Sequence, residues 1–153
     1  MSVADFETAR ETMHTRLLSK WDTLHPDVSG TGRDVPIVWE NQAWNPDTQF
    51  IASTMKGWVA PVVLPGESRA ASILMNGPKR FRTPGIYTVR IYCPPGQGDQ
   101  EAVRIADDVV SSLRGLTISG VRLLGASINH VGVEEGWYRL DVHTRFRYDT
   151  LLP

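Results

Sequence analysis

Cysteine occurs once in the 153 residues, at Cys93. That excludes an intramolecular disulfide and any multi-cysteine metal site. Long apolar runs are missing too, and none approaches the ~18 residues of a transmembrane helix. The first residues are polar and charged (Asp5, Glu7, Arg10, Glu11), unlike a signal peptide, so synthesis in the cytoplasm is expected. Lysine is scarce, with three against thirteen arginines. A GC-rich genome explains that bias, and arginine also supplies planar forks for phosphate or carboxylate. Acidic residues vanish between Ser68 and Gly98, where Arg69, Lys79, Arg80, Arg82 and Arg90 stand. The net charge is −1, so the whole molecule has no general attraction to nucleic acid or membranes. The basic stretch is therefore a local matter. It reads as a solvated loop without acids or as a surface facing DNA or an acidic partner.

The signatures of catalysis are equally thin. Gly96-Gln97-Gly98 supplies two glycines of a dinucleotide fingerprint, but Glu101 stands where the third belongs. No Gly-x-Ser-x-Gly elbow and no phosphate-loop Lys-Ser or Lys-Thr occurs. His14, His25, His130 and His143 form no H-x-H or H-x-x-x-H pair, so a metal would need ligands from distant segments. Asp107 and Asp108 point about 100° apart on a helix and read as a solvated face. No cofactor, metal or catalytic set is expected, and the chain does not read as an enzyme.

What is present is an ordinary globular composition, 41% hydrophobic and 22% charged. One domain over residues 1–153 is expected, since a chain of this length buries roughly 70% of its unfolded surface. Phe6, Ala9, Met13, Leu17, Trp21 and Leu24 recur at helical spacing, which predicts an N-terminal helix ended by Pro26 and Gly30. Val35–Trp44 reads as a strand and Asn45-Pro46-Asp47 as a turn. Trp58–Leu64 is strand-like, but Pro61 confines it to an edge or a bulge. Arg69–Leu74 reads as a returning strand. Asn76-Gly77-Pro78 and Thr83-Pro84-Gly85 bracket a short basic loop. Residues 58–85 thus predict a hairpin or arm.

Gly85–Cys93 alternates, with Tyr87, Val89, Ile91 and Cys93 on one face. A Pro-Pro-Gly-x-Gly turn then opens a helix capped by Asp99, with Ala102, Ile105, Ala106, Val109 and Leu113 as its apolar stripe and Gly115 as its stop. Leu116–Val133 reads as one long strand bent at Gly120 and Gly125. After Glu134-Glu135-Gly136, a last strand runs from Trp137 to Tyr148, with Arg139, Asp141, His143, Arg145 and Arg147 on a mostly basic outer face. The fold class expected is α+β: a mainly antiparallel (mixed) sheet of four to six strands, two helices packed on one face, and a protruding arm. The scattered tryptophans Trp21, Trp39, Trp44, Trp58 and Trp137 suit core and subunit-interface roles.

The order of these motifs resembles the tail-terminator-like proteins of long-tailed phages. The resemblance rests on an N-terminal helix, Trp39-Glu40-Asn41, a strand starting at Trp58, and the Gly85 strand ending Cys93-Pro94-Pro95-Gly96-x-Gly98. An amphipathic helix and two final strands with Val131-Gly132 and Trp137 near their junction complete it. It implies a structural virion-assembly protein without catalytic residues, located at the tail–head junction of a phage, prophage or gene transfer agent. Such a protein forms a hexameric ring that caps the tail tube, stops its polymerisation and presents a head-joining surface. The implied partners are other copies of itself, the tail tube protein and the head–tail connector, with DNA passing through the lumen and no membrane. The acid-free stretch adds its own expectation: Arg69, Lys79, Arg80 and Arg82 of the arm, and Arg90 on the strand after it, face a partner subunit, the tube or DNA. A neck or head-completion connector is the nearest alternative. A small α+β ligand- or nucleic-acid-binding module is another.

Overall fold

The computed structural model describes residues 5–72 and 79–152. Its scaffold is one antiparallel sheet of six strands with helices against one face. Helix α1 spans Phe6–Leu24. Asp5 caps it by accepting from the Thr8 N–H at 2.7 Å, which satisfies one of the helix's orphan donors. Ala9, Met13, Leu17 and Trp21 are fully buried, as their spacing predicts. Phe6 and Leu24, expected on the same stripe, lie exposed at its two ends. The Trp21 indole donates to the Val35 carbonyl at 2.8 Å and ties the following loop to the helix.

The strand expected over Val35–Trp44 does not form. Ile37 makes a single parallel bridge to Val59, the Val38 N–H donates to the Val59 carbonyl, and the Val59 N–H donates to the Pro36 carbonyl. Pro36 has no N–H to extend a ladder, and Asn41 takes a left-handed φ of 62° that turns the chain away. Alternation of side chains cannot separate such an extended segment from a strand. A short third helix, α2 (Pro46–Gln49), occupies the expected Asn-Pro-Asp turn, with Asn45 accepting from the Asp47 N–H.

Strands β1 (Trp58–Pro65) and β2 (Arg69–Ser72) both pair with β3 (Lys79–Cys93). The described part of the expected arm therefore lies along β3. Leu74 and the Asn76-Gly77-Pro78 turn fall outside the described residues. β1 is an edge strand, where Pro61 is tolerated. The basic loop expected up to Pro84 is instead strand: β3 runs without a break through Thr83-Pro84-Gly85, paired to Tyr148, Arg147 and Phe146. Pro84 survives there because its missing donor would face the gap between β1 and β2, where its carbonyl accepts from Gly66 at 2.7 Å.

Helix α3 (Gln100–Leu113) buries Ala102, Ile105, Ala106, Val109 and Leu113. Asp99 occupies its N-cap position without a side-chain hydrogen bond. The long bent strand expected next is broken in two: β4 (Thr117–Ile118) turns tightly back into β5 (Val121–Glu134). Ser119 and Gly120 adopt φ values of 48° and 83°, the pair of left-handed residues that a two-residue hairpin turn demands. Gly125 does mark a bulge, since the β5–β6 register shifts between Leu123 and Ala126. β6 extends from Trp137 to Leu152, past the predicted end.

The strand order is β1-β3-β6-β5-β4, with β2 continuing the edge beside β3. The inner face carries Val59, Val63, Tyr87, Val89, Ile91, Leu140, Val142 and Phe146 against α1 and α3. By strand parity the other face carries Trp58, Tyr92 and Arg139 at one end and Arg82, Arg147 and Asp149 at the other.

Candidate interaction surface

The outer face divides into a covered end and a bare end. At the covered end Trp58 stacks on Tyr92 with centroids 4.0 Å apart and planes 11° apart. Trp44, Phe50 and Trp137 close around them, so the segment through α2 covers this part of the sheet. Arg139 lies 5.8 Å from the Tyr92 ring and forks onto Asp141 with two 2.8 Å hydrogen bonds. It also donates to Glu134 at 2.7 Å. Hydrogen bonding to Asp141 pushes the already basic guanidinium higher still, so the cluster holds its charge. Arg139 and Asp141 lie on the outer face, as their alternation predicts, but Asp141 is buried there.

The bare end holds part of the basic set expected to make contacts. Arg82 donates to both oxygens of Asp149, at 2.9 and 3.2 Å, and Arg80 approaches the same carboxylate at 3.8 Å. The Arg82 hydrogen bond holds the Asp149 carboxyl below its ordinary pKa against the opposing effect of burial. The window without acids is thus neutralised in part by a residue 67 positions away. Arg69 pairs across from Arg82 on this face, whereas Lys79, across from Leu152, falls by strand parity on the opposite face. Arg90 stands apart from these four, opposite Asp141, with its Nε buried and without a hydrogen-bond partner among the described residues.

Three arginines outside that window join the surface. Arg122 and Arg147 face each other directly across β5 and β6, and Arg145 follows on the same face of β6. Like charges placed opposite are normally unfavourable. Among the described residues none of the three has a carboxylate within ion-pair distance, and neither does Arg69. The alternation of the last strand signals Arg145 and Arg147. Arg122 has no sequence signal, because only the β4–β5 turn sets its register. Beside these arginines a groove of about 940 Å³ is floored by Leu64, Ile86 and Leu124.

Among the described residues, no three His, Cys, Asp or Glu side chains converge as metal ligands would. Burial, reinforced by Glu101, pushes the Cys93 thiol up to about 12, so it is a poor nucleophile. His14 is buried with Nδ1 2.7 Å from the Tyr87 hydroxyl, and burial together with Arg10 lowers its pKa to about 4. His25 lies between Asp34 (2.9 Å) and Asp108 (2.8 Å), joining α1, the following loop and α3. No described helix is long and apolar enough to cross a membrane.

A helix-backed antiparallel sheet whose bare end carries arginines with no carboxylate in ion-pair distance among the described residues is a surface suited to macromolecular contact. The chain belongs to the phage tail terminator protein family, whose model matches residues 10–144. That family is structural, so the protein has a phage-tail structural role as a virion component that meets other tail and head proteins. One solved structure shares the fold with a TM-score of 0.59 at 17% identity, covering 91% of this chain and 92% of its own. Among curated proteins no relative is found by sequence.

Proposed function

We propose that the protein, as one domain, forms a ring, hexameric in number, that caps the tail tube, ends its polymerisation and offers a head-joining surface. The observation that carries this reading is the family match over residues 10–144. Capping needs one ring face that imitates a tube layer and an opposite face that refuses the next layer. Closed rings of identical subunits use heterologous contacts, in which two different patches of each copy meet. The bare arginine end of the sheet is one such patch. Arg69 on this patch and Lys79 on the opposite face of β3, both free of carboxylates among the described residues, would meet a partner subunit, the tube or DNA directly. Arg80 and Arg82 are shared with Asp149 and would act more weakly. Arg90, set apart on the sheet, would contribute from a separate position.

Electron microscopy of particles assembled without this gene tests the reading. Overlong, headless tails are expected. Normal tails beside filled, unjoined heads would move the protein to the neck, and unaltered particles would overturn a role in assembly.

A further inference from the structure

The groove at the bare end combines two features that a DNA backbone alone would not require. Leu64 and Ile86 are both substantially exposed and form an apolar floor with Leu124, while among the described residues Arg69, Arg145 and Arg147 stand around it with no carboxylate in ion-pair distance, Arg147 feeling Asp149 only at longer range. The residues outside the described set contain no Asp or Glu that could neutralise them. A complementary occupant carries exposed aliphatic side chains next to acids. DNA offers the charge but no aliphatic side chains.

This chain itself carries such an element. The hairpin joining β5 to β6 exposes Val131 and Val133, the latter 67% accessible and the most exposed large apolar residue described. Glu134 and Glu135 follow at once, Glu134 held by Arg139 and Glu135 at the turn with φ 52°. β4 pairs only with Val121 and Arg122, so among the described residues the outer edge of β5 from Ala126 to Glu134 has no strand beside it. Its backbone donors and acceptors are open as well. The tip lies at the start of β6 and the groove near its middle, at Arg145–Arg147, seven or more residues along the strand and so upwards of roughly 23 Å away at ~3.3 Å per residue, too far for one copy to join its own. Two patches that fit each other but cannot meet within one chain define a head-to-tail contact.

We propose that the groove receives the β5–β6 hairpin of a second copy, setting Val133 on Leu64 and Ile86 and Glu135 among Arg69, Arg145 and Arg147. The contact rests on the ring reading above and supplies its subunit interface.

Disulfide trapping in the full chain tests it, both in concentrated free protein and in purified particles. A V133C/I86C double variant is expected to give a covalent ladder beyond dimer on oxidation, whereas either single variant stops at dimer. Adding R145E/R147E should abolish the ladder, and adding E135R to that background should restore part of it. No species beyond dimer in either setting, or a ladder indifferent to R145E/R147E, would overturn the contact. Its failure is separable from failure of the ring reading: tails of normal length, made by a variant that yields no ladder, leave capping intact and remove only this interface.

Discussion

Arg82 reaches across from β3 to grip both oxygens of Asp149 on β6, and Arg80 leans on the same carboxylate. Three guanidiniums, counting Arg147, depress that one acid, although the Arg82 bond dominates. Asp149 is therefore what allows so many positive charges to share one end of the sheet.

Replacing Asp149 by Asn should destabilise the fold by about 1–3 kcal/mol at neutral pH, since it removes a charged hydrogen-bond acceptor from a largely buried site. The sign with pH follows from the lowered carboxyl. Its stabilisation is full above the unfolded value near ~3.9 and disappears as pH falls through the folded value. Urea midpoints of wild type and D149N should differ at pH 7 and converge below about pH 3.9. A difference that persists at pH 2 would mean that the stabilisation is not ionic.

His14 should govern stability in a higher window. Its folded pKa is lowered to about 4, so the unfolded chain binds more protons between that value and its ordinary 6.5. Stability is complete above the ordinary value and falls as pH drops towards 4, by on the order of 3 kcal/mol. Urea unfolding of wild type and H14Q from pH 7 to 4.5 should show this slope in the wild type and a shallower one in the variant. Parallel curves would rule His14 out as the cause.

Gly85 lies under the Phe146 ring, and an added Cβ would come 2.7 Å from its Cε1 and 2.8 Å from the Leu64 carbonyl oxygen. The aromatic ring and a paired backbone leave no room to give way, so G85A should cost about 1–3 kcal/mol through overpacking. Gly125 has nothing within 4 Å of such an atom, so G125A is the control and should be nearly neutral. Calorimetric melting temperatures compare the two directly, and equal effects would contradict the packing described.

Cys93 should resist thiol reagents in the native protein. Burial raises its pKa to about 12, and the Gly57 backbone is packed close to its sulfur. Reaction with a coloured disulfide reagent should be slow in buffer and immediate in denaturant. Rapid labelling of the folded protein would show an opening of the Gly57–Cys93 contact.

Much of this protein can be read from periodicity. The α3 stripe and the Tyr87–Cys93 inner face are buried as their spacing predicts, because 3.6-residue and two-residue repeats each have one way to meet a core. Errors cluster where backbone partners matter more than side chains. Val35–Trp44 alternates like a strand but makes only one bridge. Thr83-Pro84-Gly85 carries turn residues yet continues β3, since the proline falls at the break between two neighbouring strands and the glycine makes room for Phe146.

The contact surface divides in the same way. Composition and order were enough to recognise the basic window, the half-basic last strand and the family. Charge along a chain does not report charge in space: Asp149 enters the window from β6, while Arg122 meets Arg147 through a register set by a two-residue turn. Local patterns follow from chain geometry and are written into neighbouring residues. Which charges neutralise one another, and which stay free for a partner, depends on pairings between strands far apart in sequence and is settled when the sheet assembles.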